Sequence, residues 1–313
     1  MLRKIANYKD FKKIILVYNE GSGVQGIFKD TGARVRIIYM VLRNELRAGV
    51  LEKIKIKTFE DIQELGQRIC QEKIEWVIVV GGDGTLRAFV ECFVRNNYYP
   101  FISVYPGGTV NLVAKELMQK SDAYHWTARV QKGIATPVWL GKANDRIFLT
   151  VAGIGVDSLI VDNVSPSDKK YLSSLAYVKQ GGRALGSELL VHKWKYKFRV
   201  MIDDDGCWRD ASSVIVSKSH YYAGRFSLTD GSLSKPRLYV CLFQGEKAVD
   251  FLRYTALIAA DLLNIDKTVN IIPAQHVKIQ CNVSNFAAQL DGDSVATSPL
   301  EISLLPKPMN FIS

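Results

Sequence analysis

Three glycines and one aspartate, Gly81-Gly82-Asp83-Gly84, are the residues of this sequence whose types are best suited to holding phosphate. They follow an apolar run at residues 76–80, which predicts a buried strand, and they precede apolar residues at helical spacing from Leu86 onward. Glycine lets the backbone approach an anion closely, and the N-terminus of a helix favours negative charge. The stretch therefore predicts a phosphate-binding turn. A tight strand-to-helix turn without a ligand is the alternative.

Two more glycine turns follow predicted strands. Residues 12–18 predict a strand that ends at Asn19-Glu20-Gly21-Ser22-Gly23, and residues 101–105 predict another that ends at Pro106-Gly107-Gly108-Thr109-Val110-Asn111. Open α/β sheets bind ligands at the carboxyl ends of their strands, so three such turns at one edge predict a pocket. We expect residues 1–135 to form a Rossmann-like α/β domain that lacks the dinucleotide fingerprint G-x-G-x-x-G.

Thr58 lies where a predicted half-buried strand ends and a predicted helix begins, with Asp61 three residues further along. A threonine at this point, followed by an acidic residue at that spacing, is typical of a helix N-cap. Because the position is also a strand end, Thr58 is a candidate both for a plain cap and for ligand contact.

Beyond residue 136 the sequence changes to short alternating runs separated by turn residues. Residues 136–141 with 146–152, and 194–202 with 208–217, resemble β-hairpins, and further strands are predicted at 237–243, 269–272 and 277–281. Helices are predicted at residues 169–190 and 246–263, packed onto the strands. The second part of the chain therefore predicts an antiparallel β domain.

Composition narrows the class of protein. The 313 residues are 48% apolar, which fits two folded domains. Five scattered cysteines, without histidines grouped near them, argue against a zinc site and a disulfide framework and favour a reducing compartment.

The apolar run at residues 14–18 is too short for a signal peptide or a membrane span, which predicts a cytoplasmic protein. A formal charge of +10 favours an anionic partner: a nucleotide, a membrane surface or a nucleic acid.

Five motifs occur along nearly the whole chain. They are Asn19-Glu20-Gly21-Ser22-Gly23, Gly81-Gly82-Asp83-Gly84-Thr85-Leu86, Pro106-Gly107-Gly108-Thr109-Val110-Asn111, Tyr222-Ala223-Gly224 before Asp230-Gly231-Ser232-Leu233, and Asp291-Gly292-Asp293. In this order they resemble the motifs of the diacylglycerol kinase catalytic-domain family, in its bacterial lipid kinase branch. The order of five motifs is more specific than any one of them.

The resemblance implies an α/β + β architecture: a Rossmann-like N-terminal nucleotide-binding domain followed by a C-terminal antiparallel β-sandwich domain. We place the nucleotide-binding domain at residues 1–135, with the returning end of the chain, residues 300–313, added to it. Residues 136–299 then form the β-sandwich domain for the lipid substrate. The resemblance also implies an active site in the cleft between the two domains.

The activity implied by the resemblance is an ATP-dependent lipid kinase, which transfers the γ-phosphoryl group to the hydroxyl of diacylglycerol or a related lipid, with ATP and Mg²⁺ as cofactors. Such a transfer needs positioned backbone donors, a metal that offsets charge, and a carboxylate that takes the acceptor's proton. The implied nucleotide-binding residues are Asn19, Ser22, Gly23, Thr58, Gly81, Gly82, Asp83, Gly84, Thr85, Leu86, Arg87, Gly108, Thr109 and Asn111.

Two aspartates are the implied catalytic residues. Asp293 stands where the family usually has the glutamate that is taken to be its general base. Asp83 is implied as a ligand of magnesium or of its water network, and one or two carboxylates suffice for such a site. Separately, Asp230 with the carbonyls of Ser227 and Ser232 is similar to a structural magnesium site of this branch, and an ordinary Asp-Gly turn is the alternative.

Three departures from the family pattern motivate another function. Arg87 replaces an asparagine, Leu112 replaces a frequent aspartate, and Asp293 is one methylene shorter than glutamate. A nucleotide- or lipid-binding homologue that has lost turnover is therefore one alternative. NAD kinase, which has a similar Gly-Gly-Asp-Gly-Thr turn, is a second, and the Asp-Gly-Asp and Asp-Gly-x-Leu segments favour the lipid kinase over it.

The expected partners are a nucleotide and a lipid substrate at an anionic membrane surface, with the protein peripherally associated and no nucleic acid bound. Basic and aromatic residues alternate along one predicted strand, which fits docking on anionic headgroups. An amphipathic strand with its aromatic side chains in the core is the alternative. The oligomeric state is left open, including a homodimer. The alternating residues are Lys193, Trp194, Lys195, Tyr196, Lys197, Phe198 and Arg199.

Overall fold

A computed structural model of the chain describes residues 3–4, 11–19, 31–45, 49–155, 158, 196–224 and 226–313. The chain forms two compact units: Met1–Val138 together with Lys307–Ser313, and Trp139–Pro306. The first unit is an α/β layer structure and the second is built from antiparallel sheets, so the predicted fold class is confirmed. The helix predicted at residues 169–190 lies outside the described residues.

Within its described residues, the first unit contains a seven-stranded sheet. The strands are β1 (Arg3–Lys4), β2 (Lys13–Asn19), β3 (Val50–Ile56), β4 (Trp76–Gly81), β5 (Phe101–Pro106), β6 (Ile134–Val138) and β21 (Met309–Ile312). They lie in the order β1-β6-β21-β5-β4-β2-β3. Neighbours from β21 to β3 are parallel, whereas β6 runs antiparallel to β1 and β21.

The order of these strands creates a switch point between β2 and β4. The chain leaves β2 for β3 on one side, and it leaves β4 for β5 on the other side. In open α/β sheets, ligands bind in the crevice outside the carboxyl ends of two such strands. Those ends are Asn19 and Gly81 here, so the topology supports a ligand site at the glycine turn after β4.

Helices cover the sheet on both faces. They are α1 (Thr31–Glu45), α2 (Phe59–Glu72), α3 (Asp83–Arg95), α4 (Leu112–Glu116) and α5 (Ala123–Val130). Trp76, Ile78 and Val80 of β4 belong to one core cluster with residues of α1 and α5. Val77 and Val79 between them point to the opposite face and are fully buried as well. The continuous apolar run of β4 therefore reflects a strand that is buried on both sides.

The second unit is a β-sandwich. Its strands are β7 (Gly141–Ala143), β8 (Arg146–Phe148), β9 (Val151–Ile154), β10 (Phe198–Ile202), β11 (Arg209–Ala211), β12 (Ser213–Ser217), β13 (Tyr221–Tyr222), β14 (Phe226–Ser227), β15 (Leu238–Phe243), β16 (Val269–Ala274), β17 (His276–Cys281), β18 (Ala287–Leu290), β19 (Asp293–Thr297) and β20 (Leu300–Leu304). Two antiparallel sheets have the orders β11-β10-β17-β20-β7-β8 and β16-β15-β12-β9-β18-β19. Residues of both sheets, such as Phe198 and Val240, share one core.

A helix, α6 (Ala248–Ala259), packs on the β15 side of this sandwich. Tyr254 of α6 lies against Phe243, with ring centroids 5.0 Å apart, and its hydroxyl accepts a hydrogen bond from the amide of Gly245. A 3-10 helix follows at Leu263–Ile265. Among the helices that the structure describes, none is long and apolar enough to cross a membrane.

The boundaries between the two units differ from those expected from the sequence, which were between residues 135 and 136 and between residues 299 and 300. Residues 136–141, predicted as one strand, contribute to β6 of the first unit and to β7 of the second. β20 at Leu300–Leu304 pairs with β17 in the sandwich, because Leu300 and Ile302 are buried in its core. The chain returns to the first unit at Lys307.

Ser103 links three strands of the first unit through its hydroxyl. The hydroxyl oxygen accepts a hydrogen bond from Trp76 Nε1 at 3.1 Å and the hydroxyl donates one to the carbonyl of Ile312 at 2.8 Å. Both side chains are fully buried. The serine thus attaches the returning strand β21 to β5 and to the core tryptophan of β4.

We expect Ser103→Ala to lower the free energy of unfolding by about 2 kcal/mol, because it leaves a buried indole N–H and a buried carbonyl without this partner. Urea unfolding of the full chain measures the change. Ser121→Ala, at an exposed serine of the same unit, serves as the control and should leave the stability unaltered. Equal stability of the two variants would contradict the role of Ser103.

Candidate functional site

Two glycine turns meet at the carboxyl ends of β4 and β5. The amide of Gly107 donates a hydrogen bond to the carbonyl of Gly81 at 3.0 Å. A Cβ atom added to Gly108 would lie 2.5 Å from Cα of Gly82, a distance that no side chain can occupy. The two backbones therefore approach so closely that glycine is required at this contact.

Asp83 connects the two helices that begin at these turns. Its carboxylate accepts hydrogen bonds from the amides of Leu112 at 2.7 Å and Val113 at 3.2 Å, which are the first two residues of α4. Asp83 is itself the first residue of α3. Amides at a helix N-terminus have no partner within the helix, so this carboxylate caps α4 and fixes its position relative to α3. The structure thus gives Asp83, a predicted catalytic residue, a defined role in holding the two turns together.

Asn111 holds the second turn in shape. Its side chain accepts a hydrogen bond from the amide of Gly108 at 2.8 Å and donates one to the carbonyl of the same residue at 2.6 Å. Asn111 adopts a φ of 52°, a left-handed conformation that asparagine tolerates better than most residues. Thr109, between the two, is exposed. Of the predicted nucleotide-binding residues in this turn, Asn111 and Gly108 bond to each other and Thr109 faces solvent.

The N-terminus of α3 is open. Gly82 is its N-cap residue and provides no side-chain hydrogen bond to the first turn of the helix. Gly84 is exposed, and a Cβ atom added there would meet no atom of the described residues within 4 Å. A helix start that carries no side-chain cap and lies beside open space is suited to an anion, because its amides and its dipole both favour negative charge.

The next two predicted residues turn away from that space. Leu86 is fully buried in the core, and its amide bonds to the carbonyl of Gly82. Arg87 is 7% exposed. Glu91, four residues further along and therefore on the same side of α3, is also buried and lies 3.1 Å from Arg95. Leu86 thus contributes packing, and the guanidinium of Arg87 is removed from solvent.

Thr58 is the N-cap of α2. Its hydroxyl accepts from the amide of Asp61 at 3.2 Å, and the carboxylate of Asp61 accepts from the amides of Lys57 and Thr58 in return. These two amides lower the pKa of Asp61. The plain-cap interpretation therefore accounts for this threonine, which is exposed. Asn19 ends β2 at the switch point, and the predicted residues Ser22 and Gly23 lie outside the described residues.

In the second unit, Asp291 makes the densest set of polar contacts around the Asp291-Gly292-Asp293 motif. Its carboxylate accepts hydrogen bonds from the amides of Leu149, Thr150 and Val151 and from the hydroxyl of Thr150, at 2.7–3.1 Å. Leu149 and Thr150 lie where the chain passes from β8 in one sheet to β9 in the other. Asp291 thus supplies acceptors at this crossing. Its place in an Asp-Gly dipeptide, which is typical of a turn, is the one signal of this role in the sequence.

Asp293, the predicted base, is the first residue of β19 and pairs with Leu290 of β18. Asp291 and Gly292 between them have φ values of 51° and 87°. A two-residue hairpin loop with two positive φ values is typical of Asp-Gly in a type I′ turn. This turn places Asp293 two residues after the anchored Asp291, and Asp293 is half-buried.

Asp230, Ser227 and Ser232 were predicted as ligands of a structural magnesium ion. Their contacts in the structure are as follows. Asp230 is exposed. The carbonyl of Ser232 accepts a hydrogen bond from the side-chain amine of Lys218. Ser227 lies in the short ladder between β14 and β13. Among the described residues there is also no group of three or more histidine, cysteine and carboxylate side chains that could hold a metal ion.

Comparison with known proteins agrees with the motifs. Residues 13–143, which run from β2 to β7, match the family model for the diacylglycerol kinase catalytic domain. The resemblance to this family is confirmed. A Streptococcus pneumoniae protein with the provisional name lipid kinase is 24% identical over 257 residues, which cover 81% of this chain and 83% of that protein. A Staphylococcus carnosus diacylglycerol kinase is 29% identical over 170 residues, or 54% of each chain.

A solved structure has the same fold. The crystal structure of a Bacillus anthracis protein, provisionally described as a diacylglycerol kinase, has a TM-score of 0.81 and 21% sequence identity, over 99% of this chain and 97% of that one. The family match includes the turns at the carboxyl ends of β4 and β5, together with the Asn19–Gly23 motif of the sequence. The solved structure supports the fold, whereas the family match and the two relatives support a kinase that acts on a lipid-like substrate.

The contacts of the two aspartates lead to a stability prediction. Asp291→Asn should lower the free energy of unfolding by roughly 2–4 kcal/mol, because an amide group turns N–H donors toward backbone N–H donors in place of a carboxylate. Asp293→Asn is the matched control, with the same chemical change two residues away, and its loss should stay below about 1 kcal/mol. Urea unfolding checks both variants. Equal losses would contradict the division of roles between the two residues.

Proposed function

We propose that this protein is an ATP-dependent lipid kinase, which transfers the γ-phosphoryl group of ATP to a lipid hydroxyl. The observation that carries the proposal is the pair of glycine turns at the switch-point edge of the first unit, inside the segment that matches a kinase family. The contact leaves no space for a side chain at Gly108, and the start of α3 lies at the same turn. This combination supports a site for the phosphates of a nucleotide.

Asp83 and the amides of α3 have distinct parts in this proposal. The amides at Gly84 and Thr85 donate to phosphate oxygens. Asp83 fixes the start of α4 relative to α3. Two of the roughly four lone-pair sites of its carboxylate accept hydrogen bonds from the amides of α4. In this proposal the carboxylate of Asp83 also accepts a hydrogen bond from a water of a nucleotide-bound magnesium ion. When bound with ATP, that ion would offset the charge of the phosphates.

Asp293 is the proposed general base. In phosphoryl transfer the acceptor hydroxyl loses its proton as the new bond to phosphorus forms, and a carboxylate is suited to accept it. Asp293 stands at the first position of β19, next to a turn that Asp291 fixes to the strand crossing. A turn held in this way supports a constant position for the neighbouring carboxylate.

The acceptor is proposed to be a lipid at an anionic membrane surface. The formal charge of +10 favours such a surface. Along β10, Arg199 is exposed and lies over the ring of Trp208 at 5.0 Å, whereas Phe198 is fully buried in the sandwich core. The described part of the alternating run therefore follows the amphipathic-strand alternative, with Lys193, Trp194 and Lys195 outside the described residues. Net charge, rather than this strand, supports the membrane proposal.

The nucleotide site can be tested at Gly84. Gly84→Val adds a side chain into open space, so the fold and the melting temperature should be retained, whereas ATP affinity should fall at least about tenfold because the side chain occupies the space of the phosphates. Gly108→Ala is the contrasting variant. Its Cβ would collide with the backbone of Gly82, so it should lose stability and ATP affinity together. Unaltered ATP affinity in a folded Gly84→Val protein would refute this site.

The base can be tested at Asp293. Asp293→Asn should lower kcat roughly 10²–10⁴-fold with little change in ATP affinity, because proton removal matters in the transition state. Asp293→Glu restores the carboxylate with a longer reach and reports whether the backbone is adjusted to aspartate. Asp210→Asn, at an exposed aspartate of β11 in the same unit, is the control and should keep the wild-type rate. If Asp293→Asn also keeps that rate, Asp293 is not the base, and Asp83 becomes the next candidate.

The activity itself is tested with ATP labelled at its γ-phosphoryl group. The purified protein is incubated with a panel of hydroxyl-bearing lipids, diacylglycerol among them, in neutral and in anionic mixed micelles. We expect label in a lipid product, and a higher rate in anionic micelles that declines with added salt. NAD is included as a further acceptor. Labelled NAD without labelled lipid would favour an NAD kinase, and ATP binding without transfer to any acceptor would favour a homologue that binds without turnover.

A further inference from the structure

Lys218 is a fully buried lysine in the second unit. It directly follows β12, and its relative exposure is 0%. Lysine is almost never fully buried unless its ammonium group is paired. The Nζ atom of Lys218 donates hydrogen bonds to two backbone carbonyls of one loop, that of Ser232 and that of Lys235, the latter at 2.5 Å. The side chain thus delivers a positive charge to the loop that joins β14 to β15.

Both of these carbonyls also accept a backbone hydrogen bond. The carbonyl of Ser232 accepts from the amide of Lys235 at 3.1 Å, and that of Lys235 accepts from the amide of Arg237 at 2.9 Å. A carbonyl oxygen has two lone pairs. The amine of Lys218 therefore takes the second lone pair of each oxygen. Two carbonyl oxygens that point at one position are the arrangement expected around a bound cation. Here the cation is the ammonium group of Lys218.

This arrangement does not fit the structural magnesium ion that the family resemblance implied. Magnesium requires near-octahedral oxygen coordination at about 2.0–2.1 Å. At that distance from the carbonyl of Ser232, it would lie beside an ammonium group of the same sign of charge. Asp230, the one implied carboxylate, is exposed, whereas Lys218 is fully buried with its ammonium group at the carbonyl of Ser232.

Further contacts place the loop against the sandwich. The amide of Trp139 donates to the carbonyl of Leu233 at 2.8 Å, and Leu233 is 1% exposed. A Cβ atom added to Gly231 would lie 2.9 Å from the carbonyl oxygen of Ser219. The amide of Lys218 donates to the carbonyl of Thr150, the residue that Asp291 binds. Lys218 therefore joins this loop to the strand crossing that also anchors the Asp291 turn.

We propose that the side chain of Lys218 is a built-in cation that replaces the structural magnesium ion at this loop, so that the fold of the second unit needs no divalent metal there. A covalently attached ammonium cannot dissociate, and chelators cannot remove it. The inference is independent of the proposed kinase activity, because it concerns folding and is tested without nucleotide or lipid.

The test measures thermal unfolding of the full chain in EDTA and in millimolar Mg²⁺. For the wild-type protein the two melting temperatures should agree within about 1 °C, since a ligand that does not bind the native state does not stabilise it. Lys218→Met keeps the length of the side chain and removes the donor, so its melting temperature should fall by several degrees. Hydrogen exchange of residues 229–237 should become faster in the same variant, because the loop loses two of its attachments.

Lys235→Met is the matched control. Lys235 is an exposed lysine of the same loop and takes part through its carbonyl, so this variant should melt as the wild type does. If Lys218→Met also melts as the wild type does, the proposal is wrong. It is wrong as well if Mg²⁺ raises the melting temperature of the wild type and Asp230→Asn abolishes that rise. The metal comparison on the wild type and on Asp230→Asn decides the matter even if Lys218→Met fails to fold.

Discussion

The close approach of two backbone turns, Gly81-Gly82 and Gly107-Gly108, is the constraint on which the nucleotide edge of this protein depends. At the contact, a Cβ on Gly108 would lie 2.5 Å from Cα of Gly82. This approach brings the N-termini of α3 and α4 so near each other that one carboxylate, that of Asp83, begins the first helix and caps the second. The helix α4 receives this cap. The N-cap residue of α3, Gly82, has no side chain that could cap α3, and the exposed Gly84 lies in the first turn of that helix.

The second unit uses an aspartate for a similar purpose. Where the chain crosses from β8 to β9, the amides of Leu149 and Thr150 belong to neither sheet ladder. The carboxylate of Asp291 binds both of them, together with the amide of Val151 and the hydroxyl of Thr150. A backbone donor buried without a partner costs free energy comparable to a lost hydrogen bond. The turn that carries Asp293 is therefore positioned by the need to satisfy backbone groups of a different part of the chain.

Sequence patterns predicted the fold class because they report local burial. The apolar run at residues 76–80 indicated a strand with two buried faces, and β4 has both faces buried. Residues 136–141 were less informative, because their pattern predicts a strand but not that β6 and β7 belong to different sheets. At the candidate site, the motifs identified the glycine turns but did not predict the hydrogen bonds that hold these turns in place. That Asp83 binds the amides of α4, and that Lys218 binds carbonyls 14 and 17 residues further along, depends on tertiary approach.

The motif Asp291-Gly292-Asp293 contains two aspartates, and the sequence does not say which of them has a structural role. The tertiary hydrogen bonds of Asp291 give that role to Asp291. A carboxylate offers about four lone-pair sites. Asp291 accepts four hydrogen bonds, three at Oδ1 and one at Oδ2, and all four come from residues at the strand crossing. A proton on this carboxylate would remove its negative charge and weaken its hydrogen bonds to these donors. The assignment of proton transfer to Asp293 remains our proposal, and the contacts of Asp291 fix the turn in which Asp293 follows.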